Sequence, residues 1–314
     1  MAAILRFRLN LSCDPVYGEW RIQHDTETHR LKALQIREDA EMPLITITES
    51  LGSGGPVIAR KIAEALQLDL YDDDGLRRVA LDLGIRSDEL EGLSEKAPGF
   101  WDRVWSKGPE LFLYLMEEII YEIAKRGKGV ILGHGSQLLL REFHCALHVR
   151  VFASESFRVQ RLAQESGISR QAAEKMVRKT DSERQGFLSY AYQMDWNDPT
   201  LYDLLVNTEK LGLDFGAKLV VEAAGSQQVE ECSAGALQAM ARYALAKKIE
   251  AELLRKYAGL TRVYVEVPEK GVAVVSGWTD DREHKAEILD TVRAVPGVSE
   301  VRDEMMVAPT TWEE

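Results

Sequence analysis

Leu44-Ile45-Thr46-Ile47-Thr48, then Glu49-Ser50-Leu51-Gly52-Ser53-Gly54-Gly55-Pro56, then Val57-Ile58-Ala59-Arg60-Lys61-Ile62-Ala63-Glu64-Ala65-Leu66, is the stretch on which the reading of the whole chain depends. It reads as a short buried strand, a glycine-rich turn and an amphipathic helix. Glycines in such a turn let backbone N–H groups converge on an anion, and the helix dipole adds positive potential at the same place. The cradle residues are Ser50, Gly52, Ser53, Gly54 and Gly55. Laid without a gap on the phosphate-loop spacing G-x-x-x-x-G-K-[ST], Glu49 takes the first glycine and Gly54 the second. Gly55 then stands where the lysine belongs, and Pro56 where the hydroxyl residue belongs. An anion cradle is expected here without its usual cation.

Working outward, residues 44–224 alternate strand and helix patterns. Short apolar runs at 44–48, 68–71, 129–133, 146–152 and 202–206 read as strands covered on both faces. Helical periodicity is expected at 55–66, 74–84, 109–126, 155–165, 169–184 and 213–223. This alternation implies an α/β fold with a doubly wound parallel sheet, whose ligands bind beyond the C-terminal strand ends. The loops at 48–55, 72–78 and 133–136 lie at such ends. The polar, small residues 225–235 read as a linker. Beyond it comes a helix from 236 to about 256, strands at 262–267 and 272–277, a helix capped by Asp280 through Val292, and a strand at 298–307. That α-β-β-α-β order implies a small α+β domain over 236–308, with a frayed tail at 309–314.

Residues 22–41 are polar and charge-rich without a sustained apolar face, so residues 1–41 are expected to form a poorly ordered arm, with a short strand at 4–11 as the exception. Met42-Pro43 sits just before the strand at 44–48, and Met42 is a candidate alternative start. The chain of 314 residues has 45% hydrophobic and 29% charged residues and a net charge of −12. That balance suits a globular protein and argues against one that coats nucleic acid. Cys13, Cys145 and Cys232 are odd in number, far apart and without a CxxC pair, which argues against a disulfide framework or zinc site and for a reducing compartment. Cys145 reads as a small core residue. The N-terminal apolar run is short and interrupted by Arg6 and Arg8, so no export signal or transmembrane segment is expected, and the location reads as cytoplasmic.

Several motifs then fall in a recognisable order. After Ile45-Thr46-Ile47 and Gly52-Ser53-Gly54-Gly55 come Tyr71-Asp72, the strand end Gly133-His134-Gly135, and the run from Ser169 to Arg184. Asp195-Trp196-Asn197-Asp198-Pro199 and Tyr202-Asp203-Leu204-Leu205-Val206-Asn207-Thr208 complete the series. Together, over residues 44–224, they resemble the cytidylate kinase-like family of P-loop proteins. The resemblance implies a nucleoside monophosphate kinase-like fold and transfer of the ATP γ-phosphoryl to CMP, dCMP or a related acceptor, with Mg²⁺. The family commonly has the same lysine-less glycine loop.

Phosphoryl transfer needs positioning and charge neutralisation. Without the loop lysine, the catalytic cations implied are Arg158 and Arg161 on one helix face, and Arg178 and Arg184 in the lid-like helix. Read from spacing alone, the same four are solvated helix charges. On the acceptor side, Asp72, Arg78, His134 and Asp203 fall on substrate-binding motif positions. Asp72, Asp73 and Asp74 also read as a helix cap with acidic dipole partners, or as water-mediated Mg²⁺ ligands. His134 stands where the family has an arginine between two glycines, which makes a weaker, pH-dependent anchor. Glu49 places a carboxylate beside the phosphate loop, where it repels phosphate unless Mg²⁺ or an arginine compensates.

Residues 237–307 resemble a BON domain through the strand at 263–267, Gly271 to Gly277, and Val295-Pro296-Gly297-Val298-Ser299-Glu300-Val301. That resemblance implies a docking or sensing module for a small ligand, phospholipid or protein partner. Two functions follow. One is a phosphotransferase with a regulatory module. The other is a nucleotide-binding pseudokinase, favoured by Glu49, Gly55, Pro56 and His134.

Overall fold

Alternate residues of the first sheet strand serve two different cores. Ile45 and Ile47 enter one apolar cluster with Ile58, Ile62, Val149 and Val206, while Leu44 enters another with Ile119, Ile131 and Phe187. A strand with both faces buried belongs at the centre of a sheet covered on both sides, and Leu44–Glu49 is the central strand of five.

The computed structural model describes residues 11–13, 20–22, 43–86, 109–226, 229, 234–257, 262–279 and 281–307. They form two units, 1–40 and 41–314. In the first, β1 (Leu11–Cys13) pairs antiparallel with β2 (Trp20–Ile22), where the sequence led us to expect an arm. The suggested strand at 4–11 falls outside the described residues but for Leu11, and Met42 lies outside them altogether.

The second unit begins with β3 (Leu44–Glu49), α1 (Gly55–Leu66), β4 (Leu70–Tyr71) and α2 (Asp73–Asp82). It continues through α3 (Pro109–Ala124), β5 (Gly129–Leu132), α4 (Ser136–Leu139) and β6 (Ala146–Phe152). Then come α5 (Glu155–Ser166), α6 (Arg170–Tyr192), a 3-10 turn (Pro199–Leu201), β7 (Leu204–Asn207) and α7 (Thr208–Ala224). The sheet order is β4-β5-β3-β6-β7, and every pairing is parallel. The C-terminal ends of β3, β5 and β6 therefore meet at one edge.

The helices follow from their apolar stripes. α1 buries Ile58, Ala59, Ile62 and Leu66 at three- and four-residue spacing, and each large side chain among them stabilises by about 2 kcal/mol. α6 runs eight residues past the expected end at Arg184, because Phe187 and Leu188 continue the stripe begun by Ala173 and Val177. The four-residue α4 was not expected at all. Gly212, at φ 69°, kinks α7 just before the residue at which a helix was expected to begin.

Beyond residue 233, α8 (Ala234–Lys256) leads into β8 (Val263–Glu269), β9 (Val272–Thr279), α9 (Arg282–Ala294) and β10 (Glu300–Val307). Their sheet runs β10-β9-β8, antiparallel at β8–β9 and parallel at β9–β10. The cap of α9 is Asp281, whose carboxylate accepts the His284 N–H at 2.7 Å. Asp280, the expected cap, lies outside the described residues, as do 227–228, 230–233 and 308–314. Helix α8 serves two cores: Met240 packs with the cluster around Ile119 and Ile131, whereas Ile249 and Leu253 pack with Val275 and Ile288. Cys145 is buried as expected, but it is disulfide-bonded, which goes against the expectation of no disulfide framework and a reducing compartment. No helix among the described residues is long and apolar enough to cross a membrane.

Candidate functional site

The glycine loop is held from three sides. Gly52 and Gly54 have φ of 84° and 91°, a region glycine enters without strain. A Cβ on Gly52 would lie 2.6 Å from the Arg158 carbonyl oxygen, and one on Gly54 would lie 2.5 Å from Nη1 of Arg161. The loop is anchored to β6 by the Ser50 N–H and the Ser53 hydroxyl, both donating to the Val151 carbonyl at 3.1 Å. From the start of α7, the Thr208 hydroxyl donates to the Ser53 carbonyl at 2.7 Å.

The donors at the N-terminus of α1 are largely committed. The Gly55 N–H donates to Oε2 of Glu49 at 2.9 Å. Pro56 has no N–H, and the Val57 N–H turns back to the Gly54 carbonyl at 3.1 Å. A side-chain carboxylate thus takes up a donor that a cradle of this kind offers to phosphate.

The four arginines separate by position. Arg184 reaches from α6 to donate to the Glu49 carbonyl, and its guanidinium lies 5.4 Å from the Trp196 ring centroid. Arg161 lies against Gly54 while its Nε donates to Glu165 at 2.7 Å. Arg158 is 6% exposed and ties elements together, donating to the carbonyls of Ala153 and Leu51 and, in bidentate fashion, to Asp181 on α6. Arg178 is not brought to the loop: it bridges Glu155 and Glu174 with its side chain 64% exposed.

On the acceptor side, Asp72 caps α2 by accepting the Gly75 N–H at 3.1 Å. Arg78 is exposed on the same helix and reaches back beside Gly75. Asp73 turns away from its two neighbours to meet Nε2 of His134 at 2.9 Å. The three aspartates therefore do not converge, and no group of three or more metal-ligating side chains occurs among the described residues. His134 sits between Gly133 and Gly135, and all three have positive φ. Asp203 lies apart from the strand-end cluster, at the entry to β7, where it accepts the His148 N–H at 2.8 Å.

Residues 44–210 match the cytidylate kinase-like family, and residues 244–309 match the BON domain. The chain belongs to the cytidylate kinase-like family. It is 27% identical over 183 residues to a cytidylate kinase of Pyrobaculum islandicum, covering 58% of this chain and 92% of that protein. It is 30% identical over 175 residues to a cytidylate kinase of Aeropyrum pernix, covering 55% and 94% respectively. Among solved structures, an uncharacterized protein from Eubacterium ventriosum aligns with a TM-score of 0.47 at 19% identity, covering 59% of this chain and 99% of that one.

Sequence reasoning missed a buried polar stripe on one face of the cytidylate kinase-like sheet. Thr48 on β3 pairs in register with Arg150 on β6, and Thr46 with His148. Arg150, 7% exposed, donates to the Trp196 carbonyl, the Tyr202 hydroxyl and Asn197, with its guanidinium 4.3 Å from the Trp196 ring centroid. The alternation of Thr46, Thr48, His148 and Arg150 along two apolar strands was the available signal. A narrow cavity of about 20 Å³ opens beside the stripe, lined by Thr48, Glu49, Phe112, His134, Gln137 and Arg184 among others.

The stripe makes stability depend on pH. Burial holds the His148 imidazole below its ordinary value, against the raising pull of Asp203. The folded chain keeps His148 neutral where the unfolded chain protonates it, so this contribution is present above about pH 6.5 and lost as pH falls through the lowered folded-state value. Thermal unfolding midpoints should fall as pH drops below about 6.5, and His148→Gln should flatten that slope. An unchanged slope would exonerate His148.

Proposed function

We propose that this chain is a nucleoside monophosphate kinase-like phosphotransferase, moving the ATP γ-phosphoryl to CMP, dCMP or a related acceptor. The observation that carries the reading is the placement of Arg161 and Arg184 at a glycine loop that has no lysine of its own. Two cations from other helices then take over the charge neutralisation that such a transfer requires. The loop fits nucleotide phosphate in one respect: at Gly54 it lies directly against the Arg161 guanidinium, which puts a cation beside the backbone turn. Mg²⁺, when bound, supplies further neutralisation on the phosphate oxygens, and a site with few protein carboxylates suits its habit of retaining waters. In this reading Arg158 is a structural tie, and Arg178, Asp72 and Asp203 hold protein groups and take no part in the transfer. The BON module serves as a docking or sensing element for a small ligand, phospholipid or protein.

A second reading has its own observation. Glu49 on the Gly55 N–H, with Pro56 next to it, suits a nucleotide-responsive binding protein with little turnover. Glu49→Gln separates the two. It removes a negative charge while leaving an oxygen for the Gly55 N–H, so ATP affinity should rise about tenfold, a factor within reach of one charge near phosphate. Calorimetry with ATP, beside ADP formation over a panel of nucleoside monophosphates, is the measurement. Tighter ATP binding with faster turnover supports the enzyme; tighter binding with no turnover supports the binding protein. No ATP binding by either form removes both.

A further inference from the structure

A larger cavity, of about 740 Å³, opens far from the glycine loop, where α8 passes between the end of α3 and the turns at 268–271 and 296–297. That is the size of pocket a small molecule occupies. One face of α8 lines it, carrying Leu237, Ala241, Leu245 and Lys248 at three- and four-residue spacing. Close packing fixes its walls. A Cβ on Gly127, just past α3, would lie 2.7 Å from Leu237, and one on Gly297 would lie 3.2 Å from Leu245. Pro268 and Pro296 extend the apolar lining.

The charges at this cavity are uneven. Lys125 meets the Glu122 carboxylate at 2.5 Å, and Arg302 meets that of Glu269 at 3.6 Å. Arg242, Lys248 and Lys270 line the cavity with no hydrogen bond or ion pair among the described residues. Lys248 acts on Glu118 only at a distance. Arg242 and Lys248 are half-buried. Acidic residues outnumber basic ones in this chain by 51 to 39, and the adjacent Lys247 is met by both Glu117 and Glu250. Carboxylates are thus at hand, yet three cations gather without one, and a recess lined by one sign of charge concentrates the opposite sign.

We propose that this cavity binds a free phosphate ester, its apolar body against Leu237, Leu245 and Pro268 and its phosphate against Arg242, Lys248 and Lys270. An arginine fork matches phosphate oxygens, and a doubly charged group answers several cations at once. The lining comes from both matched regions, 44–210 and 244–309, and from the helix that joins them. The ligand therefore touches the cytidylate kinase-like part and the BON module together. The inference deepens the reading of the BON module as a docking element, on which it rests, and owes nothing to the kinase reading. Walls on opposite sides of α8 suit a ligand that enters from solution more than a headgroup held in a bilayer.

The test uses the full chain and 1-naphthyl phosphate, an apolar ring bearing a doubly charged phosphate, with inorganic phosphate and 1-naphthol as its two halves. Calorimetry gives affinity, and amide hydrogen exchange gives the place. The ester should bind about tenfold or more tighter than either half, since charge and apolar area both contribute. It should slow exchange in residues 237–248 and not in the glycine loop. Arg242→Gln and Lys248→Gln should each weaken it about tenfold, the scale of one charged hydrogen bond, while ATP binding holds. Neither side chain ties two elements together, so both variants should keep the wild-type unfolding midpoint. An Arg242→Gln protein that binds the ester as wild type does, protection confined to the glycine loop, or a Kd above about 10 mM overturns the inference. Binding to phosphatidic acid vesicles without binding to the ester overturns it too, and leaves the docking reading standing with a membrane as partner. Binding to neither overturns the inference together with the small-ligand and phospholipid forms of that reading.

Discussion

Arg184→Ala is expected to lower kcat/KM for phosphoryl transfer by about 100- to 1000-fold, the scale of losing one preorganised group at a developing charge. Its guanidinium is held where it can act: it donates to the Glu49 carbonyl at the end of β3 and lies near the Trp196 ring. The two contacts fix the side chain before any nucleotide arrives, so little ordering remains to be done in the transition state. Arg184→Lys should recover only part of the loss, because an ammonium has neither the planar face for the indole nor the forked donors. Steady-state kinetics beside ATP calorimetry make the check. An alanine variant within about threefold of wild type would sink the assignment, since even a single modest contact exceeds that. Arg158→Ala should behave differently. Its partners are protein groups, the Asp181 carboxylate and the Leu51 and Ala153 carbonyls, so its loss should appear first in the unfolding midpoint.

Arg255→Met is expected to destabilise the chain by about 3 kcal/mol, the cost of stranding a buried charge. Glu118 on α3 has a side chain 1% exposed, and its Oε2 accepts from Nη2 of Arg255 on α8 at 2.5 Å. Its other oxygen has no hydrogen-bond partner. Burial raises the Glu118 pKa in spite of Arg255, so the ionised carboxylate is held at a cost. Without Arg255 that cost is unopposed. The sign with pH follows: a carboxyl raised in the folded state gains its proton first in the folded state, so the deficit of Arg255→Met should shrink as pH is lowered toward about 5. The double variant Glu118→Leu, Arg255→Met should recover most of the loss, as replaced buried ion pairs do. Urea unfolding of the single and double variants at two pH values is the measurement. A single variant as stable as wild type would show that the pair does not hold α8 to α3.

The architecture was legible because its signals are local. Apolar runs of strand length, helices with one buried stripe and a glycine turn after the first strand are set by neighbours in sequence, and the parallel five-stranded sheet follows from their alternation. Misjudged elements were those set by packing across the chain. α6 continued past Arg184 because Phe187 and Leu188 find a core, and α4 forms a single turn that periodicity cannot reveal.

The candidate site divides the same way. The sequence by itself determined that a glycine cradle follows β3 and that its lysine is absent, since both are statements about residue type at a spacing. Only the tertiary structure decided which of the helical arginines lie at that loop. Arg158, Arg161, Arg178 and Arg184 are alike as helical arginines; the packing of α6 against α5 sends Arg184 to the loop and Arg178 to solvent, and buries Arg158 as a tie. A side chain's partners are chosen by elements a hundred residues away, and residue type alone carries no record of that choice.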